Sequence, residues 1–137
     1  MKNPRRRTSY ENSLVKLIRE AGFYAIRVPA SGRHDSDAIG DVSMAYNGQF
    51  IAIEVKSTSQ EFLYSSKIKD DAVKMVKKGR EYKMPCIFAI RFIARTGGGW
   101  RFITGLEAVN SKKILKQKLF KKSDELENHL QQVFSRL

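Results

Sequence analysis

The chain has 137 residues and carries 26 lysines and arginines against 14 aspartates and glutamates, a net charge of +12 at pH 7. Its hydrophobic content of 42% is enough for a buried core, which excludes a wholly disordered basic protein. A small domain this basic is typical of proteins that bind a polyanion, nucleic acid first and an anionic membrane surface second, although solubility alone is a plainer alternative. No apolar stretch approaches the ~20 residues that span a bilayer and no secretion signal is visible, so we expect no membrane partner and a cytoplasmic protein.

The first predicted element is a helix that follows a basic N-terminal arm (residues 1–7). Thr8 and Glu11 have the spacing of a capping box, with Thr8 as N-cap and Glu11 at the third helical position. Apolar residues then recur at helical spacing until Gly22 ends the helix.

The later elements alternate between strands and helices, up to a C-terminal segment (106–137) that we expect to be helical. Residues 29–37 are predicted to form a polar loop, and the whole chain (1–137) has the length of one domain. This order predicts an α/β fold with a central mixed sheet flanked by helices. In chain order the predicted strands are 23–28, 41–46, 49–57, 85–93 and 100–104, and the predicted later helices are 67–83 and one from Ser123 onward.

The most informative pattern is a hairpin in the middle of the chain. Asn47-Gly48 separates two strand-like runs and favours a two-residue type I′ turn. That register places Asp41 directly opposite Glu54, at the ~4.5–5.5 Å Cβ separation of facing residues. Lys56 lies two residues after Glu54 and therefore shares its face of the strand.

Two facing carboxylates repel each other, so folding alone gains nothing from this arrangement. A divalent cation such as Mg²⁺ or Mn²⁺ removes the repulsion, because both ions prefer oxygen ligands, and such an ion can activate water for phosphodiester hydrolysis. Lys56 adds a cation that can orient the attacking water or stabilise developing negative charge. An ordinary solvent-facing strand edge is the alternative for a lone Glu-x-Lys, and the opposed Asp41 argues against it.

Several other residues keep two interpretations. Glu11 is either the capping acid alone or a carboxylate that reaches a metal or a water beside the sheet. Cys86 lies in an apolar run and is expected to be a core residue, not a nucleophile. Residues 62–64 belong either to the core or to a dimer surface, and His34 to a polar loop or to a metal site.

Motifs in order from about residue 5 to residue 105 resemble those of the archaeal-type Holliday junction resolvases, which are nucleases of the PD-(D/E)xK kind. The Asp…Glu-x-Lys core is shared by many nucleases, whereas the early glutamate and the strand motifs are more specific. One departure is Asn12, where the family usually has arginine after the glutamate. The matching segments are Tyr10-Glu11, Gly22-Phe23, Arg27, Pro29-Ala30-Ser31, Gly40-Asp41, Ile53-Glu54-Val55-Lys56-Ser57 and Trp100-Arg101-Phe102.

The resemblance implies a restriction-endonuclease-like fold with a five-stranded sheet, and a homodimer that makes paired nicks in four-way DNA junctions with Mg²⁺, for which Mn²⁺ is expected to substitute. It implies that Asp41 and Glu54 bind the metal, and that Lys56 and the loop residue Ser31 take part in catalysis. Glu11 would act on the metal through water, and the backbone carbonyl of Val55 is a plausible further ligand. The expected DNA-binding residues are Arg5, Arg6, Arg7, Arg27, Arg33, Lys67 and Lys69.

Two other functions stay open from the sequence. One is a different repair or restriction nuclease of the same fold, although 137 residues leave no visible room for a separate sequence-reading domain. The other is a non-catalytic basic DNA-binding module. Lysine runs at 67–80 and 112–122 are either solvated faces or surfaces that follow the arms of a junction.

Overall fold

The computed structural model describes residues 4–28, 39–95 and 97–137. A single-turn 3₁₀ helix lies just before the second α-helix. The helices are α1 (Pro4–Glu20), α2 (Lys69–Glu81), α3 (Gly105–Asn110) and α4 (Ser123–Phe134), with the 3₁₀ turn at Ser65–Lys67. The strands are β1 (Ala25–Arg27), β2 (Val42–Tyr46), β3 (Gln49–Thr58), β4 (Phe62–Tyr64), β5 (Cys86–Phe92), β6 (Gly99–Thr104) and β7 (Lys113–Leu115).

Five strands form one sheet in the order β1-β2-β3-β5-β6. The central pair β3 and β5 runs parallel, with α2 in the connection, and every other neighbouring pair in this sheet is antiparallel. The predicted mixed five-stranded sheet flanked by helices is therefore confirmed. Strands β4 and β7 pair with each other in a separate two-stranded sheet.

Apolar side chains cover both faces of the sheet, and strand alternation decides which residues of β3 face which helices. Ile51, Ile53 and Val55 pack in one cluster with side chains of α1 and α4. Side chains of β5 such as Phe88 and Ile90 pack in a second cluster with residues of α2 and α3. Glu54 and Lys56 alternate with the first set and therefore lie on the α2 side of the sheet.

The hairpin between β2 and β3 has the predicted turn and register. Asn47 and Gly48 have φ angles of 50° and 77°, as a type I′ turn requires. Tyr46 pairs with Gln49, and the register continues without a slip to the pair Val42 and Ile53. The Asn-Gly signal thus sets the register that carries Asp41 and Glu54 towards each other.

The start of α1 differs from the prediction. The helix begins at Pro4, so residues 4–7 of the predicted basic arm are helical and Thr8 is not the N-cap. A proline is favourable at the first helical position, where its missing N–H costs no hydrogen bond and its φ angle already suits the helix. The capping-box interpretation of Glu11 is therefore wrong.

The segment from residue 106 onward is not helical throughout. It holds most of α3, strand β7 and, from Ser123 as predicted, α4. The strands β4 and β7 have three residues each and α3 has six, so none is long enough to show a hydrophobic period. Helix α3 is capped by Thr104, whose side chain accepts a hydrogen bond from the Glu107 amide.

Gly40, directly before Asp41, is the glycine whose replacement should most disturb the entry to β2. Its φ is +81°, and a Cβ atom would lie 3.1 Å from both the backbone N and O of Ile53. Gly48 has a similar φ of +77° but open space around a Cβ atom, so it provides a matched control.

We expect Gly48→Ala to lower the free energy of unfolding by about 1 kcal/mol through φ strain alone. Gly40→Ala should cost at least about 2 kcal/mol, because the third strand must also shift. Urea unfolding of both variants measures the difference. Equal losses would show that the close approach to Ile53 is not a constraint.

Candidate active site

Asp41 lies one residue before β2 and is fixed by three backbone-directed hydrogen bonds. Its amide donates to the Ile53 carbonyl, its carbonyl accepts from the Val28 amide, and its Oδ2 accepts from the Val55 amide, each at 2.8 Å. The ladder follows the predicted register as far as the pair Val42 and Ile53, and Asp41 lies one residue beyond it, where its amide bonds to Ile53 and not to Glu54. The side chain instead reaches across to the backbone of β3.

The Glu54 carboxyl is the most perturbed acid of this region. Burial, the neighbouring Asp41 carboxylate and a hydrogen bond to it raise the pKa of Glu54 to about 7, although the Lys56 ammonium acts in the opposite direction. Asp71 on α2 also contributes to the increase. Asp41 and Glu54 therefore lie close enough together for the charge of one to make ionisation of the other unfavourable.

Lys56 links the strand to helix α2. Its Nζ lies 3.9 Å from Glu54 Oε2 and forms a closer ion pair with Asp71 Oδ2. Its side chain is 18% exposed, so the ammonium is held largely within the site. Asp71 was not among the predicted site residues, since the prediction for this helix rested on its basic residues; the acidic pair Asp70-Asp71 in an otherwise basic segment was the available signal.

Glu11, on helix α1, is buried, with 6% of its surface exposed. Its Oε1 accepts a hydrogen bond from Arg27 Nε at 3.3 Å, which joins α1 to β1. Arg27 pairs with Val42 in the sheet, and the next residue, Val28, donates to the Asp41 carbonyl. Glu11 and Arg27 thus lie beside the start of β2, which directly follows Asp41. Arg27 has an acidic partner in addition to any role on DNA.

The other predicted residues have varied placements. Ser31, Arg33 and His34 lie outside the described residues. Arg5, Arg6 and Arg7 belong to the first two turns of α1, while Lys67 is exposed in the 3₁₀ turn and Lys69 at the start of α2.

Two structural expectations concern residues outside the site. Cys86 is 7% exposed in the second core cluster, and burial raises the pKa of its thiol to about 11, which confirms a core residue. In the segment 62–64 only Leu63 is buried, whereas the rings of Phe62 and Tyr64 meet edge to face beneath the Lys113 ammonium.

The residues fit a divalent cation bound by few protein ligands. Within residues 4–28, 39–95 and 97–137, no three histidine, cysteine or acidic side chains gather as a metal cluster, so any ion here would depend on the Asp41–Glu54 pair. A divalent ion between the two carboxylates would offset their repulsion and keep Glu54 ionised at neutral pH.

In the same part of the chain no helix is long and apolar enough to cross a membrane.

The raised pKa of Glu54 predicts the pH dependence of folding. Since the native state holds this proton more tightly than the unfolded chain, stability attributable to Glu54 falls as the pH rises from about 4.5 towards 7. In EDTA at pH 8, Glu54→Gln should therefore raise the free energy of unfolding by on the order of 1 kcal/mol. Thermal unfolding at pH 5 and pH 8 measures this difference, which should be small at pH 5.

Glu61→Gln is the matched control, because the Glu61 side chain is 80% exposed and lies outside this pair. It should leave the unfolding temperature unchanged at both pH values. A metal-free Glu54→Gln protein that is no more stable than the parent at pH 8 would contradict the raised pKa of Glu54.

Comparison with known proteins finds relatives of this chain. The model of the archaeal Holliday junction resolvase family (Hjc) matches residues 2–136. The crossover junction endodeoxyribonuclease Hjc of Sulfolobus acidocaldarius is 31% identical over 121 residues, 81% of this chain and 84% of that protein. The protein of the same name from Sulfurisphaera tokodaii is 42% identical over 55 residues, 40% of this chain and 38% of that protein.

A solved structure shares the fold. The Holliday junction resolvase Hjc of Archaeoglobus fulgidus superposes with a TM-score of 0.63 at 23% identity, covering 88% of this chain and 98% of that one. The restriction-endonuclease-like fold and the resemblance carried by the sequence motifs are thereby confirmed. Since the family match extends over almost the whole sequence, the chain belongs to the archaeal Holliday junction resolvase family, a family of nucleases.

Proposed function

We propose that this protein is a structure-specific endonuclease that cleaves four-way DNA junctions by metal-dependent phosphodiester hydrolysis. The proposal rests on one observation: the side chains of Asp41, Glu54 and Lys56 lie close together beside β3. Family membership supports the junction as substrate, and the curated relatives bear the name crossover junction endodeoxyribonuclease.

A nuclease family of the resolvase type implies a divalent metal, and we infer that Mg²⁺ is the ion, with Mn²⁺ able to substitute. Asp41 and Glu54 would hold it through their carboxylates. The Val55 carbonyl is the third candidate ligand, because the N–H and C=O of one strand residue point to the same side and the Val55 amide binds Asp41. Waters would complete the shell.

The bound ion would supply a water of lowered pKa and neutralise charge on a phosphate oxygen. Lys56 places a positive charge beside Glu54, where it would stabilise the negative charge that develops as the phosphodiester bond breaks. Glu11 would orient a water from the α1 side of the sheet. Ser31, which precedes Asp41 by ten residues in the sequence, is the remaining candidate for a group that contacts the reacting phosphate.

The net charge of +12 supports binding to the phosphate backbone without reading of bases. Lys67 is exposed in the 3₁₀ turn, and Lys69 is exposed at the start of α2, the helix that also carries Asp71 beside the active site. They would contact phosphates of an arm of the junction near the cleaved bond. The other proposed DNA contacts are Arg5, Arg6, Arg7, Arg27 and Arg33.

A four-way junction has two equivalent strands to cut, which a symmetric dimer with two identical sites matches. We therefore propose a homodimer in which each chain is one nuclease domain that nicks one of two opposed strands. Its substrate is chromosomal DNA, so we place the protein in the cytoplasm with the nucleoid.

The decisive assay compares a four-way junction with duplex, fork and flap DNA of equal length, in Mg²⁺ and in EDTA. We expect paired nicks in opposite strands of the junction in Mg²⁺ only. Asp41→Asn should reduce cleavage by at least about 10³-fold, since it removes a charged metal ligand, and leave junction affinity nearly unchanged because the basic surface remains. Asp124→Asn, which removes an exposed carboxylate on α4, is the matched control and should cut normally.

Other outcomes would favour the alternatives. Metal-dependent cutting of linear duplex as fast as of junctions, by a protein that is monomeric at micromolar concentration, would indicate a different nuclease of this fold. Junction binding without any metal-dependent cleavage would indicate a non-catalytic DNA-binding module. Full activity of Asp41→Asn would contradict the assignment of the metal site.

A further inference from the structure

Helix α2 contributes an acid, Asp71, to the surroundings of Lys56. Asp71 lies in the first turn of α2, and its Oδ2 makes a close ion pair with Lys56 Nζ. The same ammonium lies 3.9 Å from Glu54 Oε2, so it is held between a carboxylate of its own strand and a carboxylate of the helix above it.

Folding stability is a weak explanation for this ion pair. The Asp71 side chain is 49% exposed, and ion pairs open to solvent contribute little to stability. Acids are favourable in the first turn of a helix, but Asp70 meets that preference equally well. What distinguishes Asp71 from Asp70 is therefore its contact with Lys56.

The position of a lysine charge needs an external constraint. The ammonium is at the end of a flexible four-carbon stem and can rotate through many conformations. The Glu54 carboxylate is an unreliable partner during the reaction, because the proposed function assigns it to the metal. Asp71 comes from a different element and is left to hold the ammonium in place.

We propose that Asp71 is a positioning residue that keeps the Lys56 ammonium beside Glu54, where the scissile phosphate would be bound. This inference rests on the proposed function. Asp71 itself does not contact the phosphate; it restricts Lys56 so that its charge is already placed when the DNA arrives. Such preorganisation affects the rate of cleavage more than the affinity for DNA.

The test is a double-mutant cycle measured as single-turnover cleavage of a four-way junction at saturating protein, with junction affinity measured in parallel. Asp71→Asn should slow cleavage about tenfold without weakening binding, and Asp71→Glu should recover part of the rate. Lys56→Ala should slow cleavage by on the order of 10²-fold. In the Lys56→Ala background, Asp71→Asn should have no further effect, because the side chain that it positions is gone.

Asp70→Asn is the matched control, since it removes the same charge from the same helical turn. It should leave the rate unchanged in both backgrounds. NMR relaxation of the Lys56 ε-methylene in DNA-free protein gives a readout independent of activity: Asp71→Asn should make this group more mobile, and Asp70→Asn should not.

Three results would overturn the inference. In the first, Asp71→Asn and Asp70→Asn cleave the junction at equal rates. In the second, Asp71→Asn still slows cleavage in the Lys56→Ala background. In the third, Asp71→Asn leaves the mobility of the Lys56 side chain unchanged. A faster Asp71→Asn enzyme would also overturn it and make the ion pair a restraint on activity. The proposed function fails separately, if the unaltered protein does not cleave junctions in the presence of metal.

Discussion

The electrostatic repulsion between Asp41 and Glu54 is the constraint on which the rest of this account depends. The fold imposes it: the Asp41 backbone is bonded to Ile53 and Val28, and its carboxylate to the Val55 amide, so the side chain is held against β3. Glu54 is meanwhile largely buried, which raises its pKa to about 7. A protein selected for stability alone would not keep two acids in this position, whereas a divalent cation turns the same arrangement into a binding site.

The architecture leaves this pair partly exposed while the sheet remains covered. Alternation along β3 buries Ile51, Ile53 and Val55 under α1 and α4, and it turns Glu54 and Lys56 towards α2. Because α2 follows β3 after a short excursion through β4, its first turn lies over the carboxyl-terminal half of β3 and brings Asp71 to Lys56. Lys69, at the start of the same helix, and Lys67, in the 3₁₀ turn before it, are exposed, so these candidate DNA contacts lie close in the chain to Asp71.

Local signals in the sequence were sufficient for the sheet but not for the details of the site. The Asn47-Gly48 turn and the alternation of β3 are short-range features, and the register that they predict is present. The exact position of Asp41 was not predictable, because the strand starts one residue later and Gly40 passes close to Ile53. The Lys56–Asp71 ion pair depends on how α2 packs on the sheet, and no spacing in the sequence encodes that contact.

The central claim is that Asp41 and Glu54 together form a divalent cation site, and anomalous diffraction from crystals grown with Mn²⁺ tests it most directly. The ion is visible by its own scattering, without reference to DNA or to cleavage. We expect one strong anomalous peak between the two carboxylates, within about 2.0–2.6 Å of an oxygen from each and near the Val55 carbonyl. Crystals of the parent protein soaked in millimolar Mn²⁺ that show no peak there, or show one only elsewhere, would contradict it.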